Sequence, residues 1–564
     1  MYSNKENINI LTALLVSYGV EHIVVCPGSR NAPLVHNFSE CPDIVCHPVT
    51  DERSAAFVAL GLRQQLQRPV AVCVTSGSAL LNTLPGVAEA TYQQQGIIVI
   101  SADRPAAWID QLDGQTLPQP DALGRFVEKS VSLPEPHNDE ERWLCNRLVC
   151  EAMIAYSQPH HPSVHINVPI SEPLFDFSTS ELPKERTVLA GRWSNSIFQD
   201  SIIRLLAKAK KPMFVIGQTP QNALPDDYLY ELYEHFVILS EPISGGELPP
   251  SFTDQMLYAI EHHPTAYRPD LVIYIGGHTV SKRLRHFMRS LDKTVVQIVI
   301  SDDMQLRDVS QNTQYLIQGS AYNVVSDICG YINSRAQTSA FYNKWKKLRP
   351  EIASRHNAFV PAYSQMLAVK LFEETLPDDA YNYEAYYANS MAVRLAALYA
   401  KRYCHCNRGI NGIEGSLSVA VGASLARMYA DEKTAAERQP ASVFCVIGDL
   451  SFFYDENALW QQQLGGNLRI MLLNNSQGGI FRNLKGLGNS PVRDTLISAR
   501  HNATAEGICK QFGIKYLKAT DEISLHAGID SIVCADSQRP MLLEVITDVN
   551  IDEQEFKRYY HTLL

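Results

Sequence analysis

The chain has 564 residues, 45% of them hydrophobic and 19% charged, which excludes a disordered or fibrous protein and leaves room for roughly three to four domains. Against 60 acidic residues stand 49 Lys and Arg, a net charge of −11, so no global field draws the chain to nucleic acid or to anionic lipid, and neither is expected as a partner. No apolar run approaches the ~18 residues of a membrane span, the start MYSNKENINILTALLVSYGV lacks a small-residue cleavage site, and the 12 cysteines are scattered in apolar segments, which together predict a cytoplasmic chain with reduced core thiols and no membrane partner.

Taken in order, the first 180 residues alternate strands and helices. Ile23 to Cys26 is a strand that ends in the turn Pro27 to Arg30. Ile44 to Val49 is strand-like and leads to Asp51-Glu52-Arg53, where an apolar helix begins. Val70 to Val74 and Ile97 to Ile100 are strands followed by the turns Thr75 to Ser78 and Ser101 to Pro105. Such alternation indicates a parallel sheet covered on both faces, with ligands gathered at the strand C-terminal ends. Residues 178 to 192 lose apolar periodicity and read as a linker. Five further strand-like runs follow, Met213 to Ile216, Phe236 to Leu239, Leu271 to Ile275, Val295 to Ile300 and Tyr315 to Ile317, and define a second α/β domain. Its Ile275-Gly276-Gly277 is either a bare tight turn or a fragment of a dinucleotide fingerprint. A charged helical segment, Tyr342 to Arg355, leads into a third domain that closes with the strand Met541 to Ile546. Cys404-His405-Cys406 invites a zinc reading, but no second ligand pair stands nearby at finger spacing.

The third domain carries the most informative stretch. Ser442 to Ile447 has the length and β-branched content of a buried strand, and Gly448-Asp449 sits where it gives way to a helix. Leu468 to Leu473 repeats the pattern, with Asn474-Asn475 at its end. Asp449 and Asn475 are 26 positions apart, about a strand, a helix and a returning strand, which brings a carboxylate and a carboxamide together at one sheet edge. Two hard oxygen ligands there suit Mg²⁺ holding a diphosphate; the alternative is a plain turn and helix cap. The arrangement resembles the thiamine-diphosphate motif of the thiamine-dependent enzymes, whose layout implies an α/β chain of three domains with central parallel sheets: a pyrimidine-binding domain over 1–180, a central domain over 190–340 and a diphosphate-binding domain over 358–564. The first and third would share the thiamine-diphosphate-binding fold.

Eight stretches resemble one family within that superfamily, the 2-succinyl-5-enolpyruvyl-6-hydroxy-3-cyclohexene-1-carboxylate synthases of menaquinone (vitamin K2) biosynthesis, the MenD family: PGSRNAPL (27–34), DERSAAFVALGL (51–62), TSGSALLN (75–82), SADRP (101–105), NSMAVR (389–394), NRGINGIEG (407–415), GDLSFFYDENAL (448–459) and NNSQGGIF (474–481). The resemblance implies a transferase that decarboxylates 2-oxoglutarate on thiamine diphosphate and adds the succinyl carbanion equivalent to isochorismate. It implies Mg²⁺, or Mn²⁺ in its place, held by Asp449, Asn475 and Gln477, and cofactor contacts from Glu52, Ser76, Gly77, Ile413, Gly448, Leu450 and Ser451. Glu52 would be catalytic, a carboxyl beside N1′ of the aminopyrimidine that drives loss of the thiazolium C2 proton; read alone, it is equally a first-turn residue complementing its helix. Ile413 would prop the cofactor into its V shape.

Both substrates are dianions, and the motifs place substrate-binding groups at Ser29, Arg30, Gln115, Lys282, Arg283, Ser390, Arg394 and Arg408, with Ile480 and Phe481 as apolar pocket positions or ordinary core. Arginine suits the task because its planar fork takes a carboxylate bidentately. Two positions depart from the family pattern: Gly114 stands where an asparagine is common, and Gln477 where a glycine is, which leaves the conformation of that loop open. The resemblance further implies a homodimer or dimer of dimers, with each cofactor shared between the first domain of one chain and the third of its partner. The rival readings are another thiamine-dependent 2-oxo-acid decarboxylase or carboligase, such as an acetohydroxyacid synthase, and a non-catalytic binding protein that keeps the fold.

Overall fold

A computed structural model of the chain describes residues 1–188, 199–246, 252–303, 307–332, 339–377, 383–434, 441–484 and 486–564. Its contacts divide it into two compact units, one made of Met1–Arg192, Gly409–Val443 and Tyr454–Leu468, the other of Trp193–Arg408, Phe444–Phe453 and Arg469–Leu564.

The first unit is built on a six-stranded sheet of β1 (His22–Val25), β2 (Val45–Pro48), β3 (Val70–Val74), β4 (Ile98–Asp103), β5 (Lys129–Ser132) and β6 (Val164–Pro169), ordered β2-β1-β3-β4-β6-β5 with every neighbour parallel. The inner strands β1, β3 and β4 are buried throughout, which is why they read as continuous apolar runs. Strands β5 and β6 carry no such signal. Strand β5 is a polar edge, and β6 buries His165 and Asn167 in a polar network with Ser101 and Gln119.

Helix Glu52–Leu66 is capped by Asp51, whose carboxylate accepts from the backbone N–H of Arg53 and Ser54. It packs closely on helix Ser416–Thr434 of the same unit. A Cβ on Gly61 would stand 2.1 Å from the Val419 carbonyl, and one on Gly422 2.2 Å from that of Val58, so a glycine on each helix lets the backbones touch.

The second unit contains two sheets. Strands β7 (Pro212–Ile216), β8 (Val237–Leu239), β9 (Leu271–Ile275), β10 (Val296–Ser301) and β11 (Tyr315–Gln318) form a parallel sheet ordered β11-β10-β9-β7-β8. The Gly276-Gly277 segment after β9 is a tight turn filled by the protein itself, with the Gly277 N–H donating to the Gln218 carbonyl at 2.7 Å. Strands β12 (Tyr383–Tyr387), β13 (Ser442–Gly448), β14 (Leu468–Asn474), β15 (Lys515–Ala519) and β16 (Met541–Ile546) form the third sheet, ordered β12-β13-β14-β16-β15, with β16 parallel to both neighbours. The three parallel sheets give the α/β class the alternating pattern predicts.

The charged segment at Tyr342 is a longer helix, Ala340–Ala358, with Pro350 inside it. Of the expected linker, 178–188 lies between named elements, while its end at 189–192 and the expected boundary at 190 fall outside the described residues. Cys404 and Cys406 are buried and His405 bonds to Glu384 at 3.0 Å; among the described residues no group of three His, Cys, Asp or Glu is arranged to hold a metal. No described helix is long and apolar enough to cross a membrane.

Candidate active site

In the second unit β13 ends at Gly448 and Asp449 opens the helix Asp449–Tyr454. Asp449 is 4% exposed. Its Oδ1 accepts from the Leu450 N–H at 2.7 Å, and its Oδ2 accepts from the backbone N–H of Asn475 and of Gln477, each at 3.2 Å. The carboxylate thus gathers the loop after β14 to the end of β13, as the strand–helix–strand spacing predicts. Ser476 takes the left-handed conformation at φ 66° and Gln477 does not, so the backbone at 477 makes no demand that only glycine meets.

Asn475 donates through Nδ2 to Asp552 Oδ2 at 2.9 Å, so its Oδ1 is the end left to accept or coordinate. Asp552 is fixed in turn by the Gln365 N–H and the Thr547 hydroxyl, both at 2.8 Å, and burial raises its carboxyl to about 6. His501 also closes on the site: its Nδ1 accepts from the Ala503 N–H at 3.1 Å, which makes Nε2 the protonated nitrogen, and Nε2 lies 3.3 Å from Asp449 Oδ2 outside hydrogen-bonding geometry. Neither Asp552 nor His501 belongs to the motif, and only the fold brings them to it.

These residues fit a metal diphosphate. Gln477 Oε1 is buried with no donor among the described residues, and a Cβ on Gly448 would meet nothing within 4 Å, so an unsatisfied side-chain acceptor and an uncrowded backbone stand in the segments that Asp449 joins. A carboxylate, a carboxamide oxygen and main-chain carbonyls are the hard donors Mg²⁺ takes alongside phosphate oxygens. Ser451 is buried and Leu450 half-buried on the same helix.

In the first unit Glu52 is half-buried, and its Oε2 accepts one long bond, 3.3 Å, from Asn82. Ser76 is buried. Gly77, at φ 85°, donates its N–H to Gln119 at 2.6 Å, and a Cβ there would lie 3.2 Å from the Gln115 backbone, so Gln115 is held against the turn after β3. Arg30 is buried, donating to the Ile170 carbonyl at 3.0 Å and pairing with Glu172 at 3.1 Å, while Ser29 beside it is exposed. The buried Glu89 receives the N–H groups of Gly409 and Ile410, shaping the loop that presents Ile413, which is 41% exposed.

The second unit also holds a cavity of about 250 Å³ lined by Lys282, Arg283, Arg394, Ile480 and Tyr560 among others. Its cations differ. Arg283 is clamped, paired with Asp254 at 2.5 Å and lying over the Tyr258 and Tyr560 rings. Lys282 and Arg394 have no ion-pair or hydrogen-bond partner among the described residues. Burial, then the neighbouring Arg408, lowers the Arg394 guanidinium, and burial, then Arg394, lowers Lys282. Arg394 stands one turn beyond Ser390, the residue that starts its helix at φ 76°. Arg408 is buried, donating to Asn389 Oδ1 and to the Thr279 carbonyl at 3.0 Å each. Phe481 is half-buried and does not line this cavity.

Two family models match the chain: the N-terminal TPP binding domain of thiamine pyrophosphate enzymes over residues 8–123, and the C-terminal TPP binding domain over 388–545. Fold, site and matches define a thiamine-diphosphate-dependent enzyme. A protein from Mycobacterium smegmatis described as a thiamin diphosphate-dependent enzyme has an X-ray structure that superposes with a TM-score of 0.70, covering 97% of this chain and 100% of that one at 16% identity, a likeness of fold. Curated relatives named 2-succinyl-5-enolpyruvyl-6-hydroxy-3-cyclohexene-1-carboxylate synthase include those of Bacteroides fragilis, 40% identical with 100% of both chains covered, and Phocaeicola vulgatus, 40% identical with 100% of this chain and 99% of that one covered. That of Flavobacterium psychrophilum is 32% identical over 97% of this chain and 96% of its own. The chain belongs to this synthase family.

Proposed function

We propose that the chain catalyses the reaction its relatives are named for: 2-oxoglutarate loses CO₂, and the succinyl unit is added to isochorismate to give 2-succinyl-5-enolpyruvyl-6-hydroxy-3-cyclohexene-1-carboxylate, a step of menaquinone biosynthesis. The observation that carries this reading is the cavity with two unpaired cations, Lys282 and Arg394, in a chain of net charge −11. The two carboxylates in the lining are engaged, Asp254 by Arg283 and Glu241 by the Val280 and Ser281 N–H groups, so two cations without a direct partner among the described residues favour an acid with more than one carboxylate over a small neutral or monoanionic substrate, which disfavours an acetohydroxyacid synthase reaction.

Thiamine diphosphate, when bound, would supply the nucleophilic carbon and the electron sink that decarboxylation of a 2-oxo acid needs. Asp449, Asn475 through its free Oδ1 and the Gln477 carbonyl would hold Mg²⁺ and with it the diphosphate. Glu52 would hold a proton at N1′ of the aminopyrimidine, Ile413 would support the bent cofactor, Ser390, Arg394, Arg408 and Lys282 of the second unit would orient substrate carboxylates, and Arg30 and Gln115 of the first would serve as further substrate-binding groups. The domain limits 1–180, 190–340 and 358–564, a cytoplasmic location, and a homodimer or dimer of dimers with shared cofactors complete the proposal. Three separate sheets support the division. Mixing Glu52→Gln chains with Asp449→Ala chains should regenerate activity when subunits exchange, and demonstrated exchange without activity would refute sharing.

The direct experiment is incubation with thiamine diphosphate, Mg²⁺, 2-oxoglutarate and isochorismate, with mass detection of the adduct and of CO₂. Formation of the adduct is expected. A pyruvate-derived product formed in preference, or CO₂ without adduct, would overturn the reading.

A further inference from the structure

The helix Ala340–Ala358 carries Tyr342, Trp345, Lys346 and Arg349 at spacings of three and four, so all four lie on one face. That face walls a second cavity of about 190 Å³, closed otherwise by Tyr233, Phe236, Val237, Ile238 and Met256. It shares no lining residue with the cavity of Lys282 and Arg394.

Besides apolar and aromatic groups the lining carries the Tyr342 hydroxyl, the Lys346 ammonium and two donors left without an acceptor among the described residues. Trp345 is 3% exposed, and its indole Nε1 has no acceptor among the described residues. One turn on, the Arg349 guanidinium lies 4.3 Å over the Tyr233 ring, and its buried NH1 has no acceptor among the described residues. Burial lowers that guanidinium to about 10. The Tyr342 hydroxyl donates to the Tyr233 carbonyl at 3.1 Å, and Lys346, a further cation on this face, stands 3.7 Å from Glu234 and has no acceptor to offer the two donors. A buried donor without an acceptor is costly, and a buried unpaired charge more so, unless an occupant supplies what the protein lacks.

We propose that this cavity is a binding site for a small aromatic carboxylate. One aromatic ring fits the space, since an apolar cavity of roughly 150 Å³ takes benzene. The ring would lie among Phe236, Ile238 and Met256, and the carboxylate would take the Arg349 NH1 and Trp345 Nε1 protons, both donated from the same helix face. Acidic rather than neutral ligands are selected because the guanidinium gains most from a charged acceptor.

The test is titration calorimetry on the full-length enzyme with its cofactor, using phenylacetate as probe and the neutral 2-phenylethanol as its comparison. Phenylacetate should bind with one site per chain, and the alcohol at least about tenfold more weakly. Arg349→Met should weaken phenylacetate at least about tenfold and leave the alcohol unchanged, and Trp345→Phe should weaken it by a smaller factor. Equal affinity for acid and alcohol, or phenylacetate binding unaltered by Arg349→Met, overturns the proposal. Should Arg349→Met fail to fold, 5-fluorotryptophan labelling serves instead. The ¹⁹F resonance missing from Trp345→Phe identifies Trp345 and should shift on phenylacetate addition to the unmutated enzyme, and a resonance that stays in place at millimolar probe contradicts the site.

Discussion

Glu52 and Asp449 each stand on the first residue of a helix at the C-terminal side of a parallel sheet, and the protein treats them in opposite ways. Asp449 is buried and accepts from three backbone N–H groups, so its carboxylate has one position and fixes the loop from Asn475 to Gln477. Glu52 is half-buried, its only hydrogen bond among the described residues is a long one of 3.3 Å from Asn82, and the capping of its helix is done by Asp51. One carboxylate is a fixed anchor and the other is left available to an incoming group. The cations repeat the contrast: Arg283 is clamped by Asp254 and two tyrosine rings, while Arg394 is not.

The largest effect should come from removing the anchor. Asp449→Ala is expected to abolish measurable binding of thiamine diphosphate with Mg²⁺ in calorimetry, because the proposed metal site would lose its carboxylate and the loop loses its clamp. Unchanged affinity would break the comparison. Glu52→Gln should leave that affinity within a few-fold while slowing turnover by roughly 10²-fold to 10⁴-fold, the usual span for a proton-transfer group. Equal losses of binding and rate in both variants would remove the distinction between anchor and acid.

Asp552→Ala releases the Asn475 amide. Mg²⁺ affinity, measured by titration of cofactor binding, should fall roughly 10-fold to 100-fold, as for other residues that orient a metal ligand. Among the cations, Arg394→Ala should raise KM for one or both acids by about 10-fold or more with cofactor affinity kept, whereas Arg283→Ala should act first on thermal stability. A KM effect from Arg283 as large as that from Arg394 would blur the division.

The smallest effect concerns a buried carboxylate without Asp449's set of backbone donors. Glu373 is wholly buried, accepting from the Tyr387 hydroxyl and more weakly from the Lys401 N–H at 3.4 Å, and burial raises it from 4.5 to about 7. The folded state therefore keeps a proton the unfolded chain has lost, so this group's stabilising contribution is full below pH 4.5 and fades as pH rises through 7, at no more than about 1.4 kcal/mol per pH unit. The thermal midpoint of Glu373→Gln relative to the unmutated protein should thus rise between pH 5 and pH 8; a constant difference would show that Glu373 does not titrate in that window.

The fold was legible wherever strands are buried on both faces. Runs such as VAVCV at 70–74 and LVIYI at 271–275 match β3 and β9 end to end, and the strand before Asp449 falls one residue short of β13. Edge strands with polar faces, β5 and β15, and strands with buried polar residues, β6 and β12, escaped because their side chains answer to local hydrogen bonding and not to an apolar period. At the candidate site, Asp449 and Asn475 were readable from spacing because one supersecondary unit joins them. Asp552 and His501 were not, since each depends on elements far apart in sequence that only tertiary packing brings together. The change of glycine to glutamine at 477 was visible as a question, and its answer, a backbone that is left-handed at Ser476 and not at Gln477, needed the structure.

In the proposed division of labour Asp449 holds the cofactor and Glu52 acts on its proton. It is tested most directly by hydrogen–deuterium exchange at C2 of bound thiamine diphosphate, followed by quench and NMR, in the unmutated enzyme and in Glu52→Gln saturated with cofactor. Exchange slowed by at least about 10²-fold in Glu52→Gln, with the cofactor demonstrably bound, is the predicted result. Exchange at the unmutated rate would contradict the account and leave Glu52 as a residue that only begins a helix.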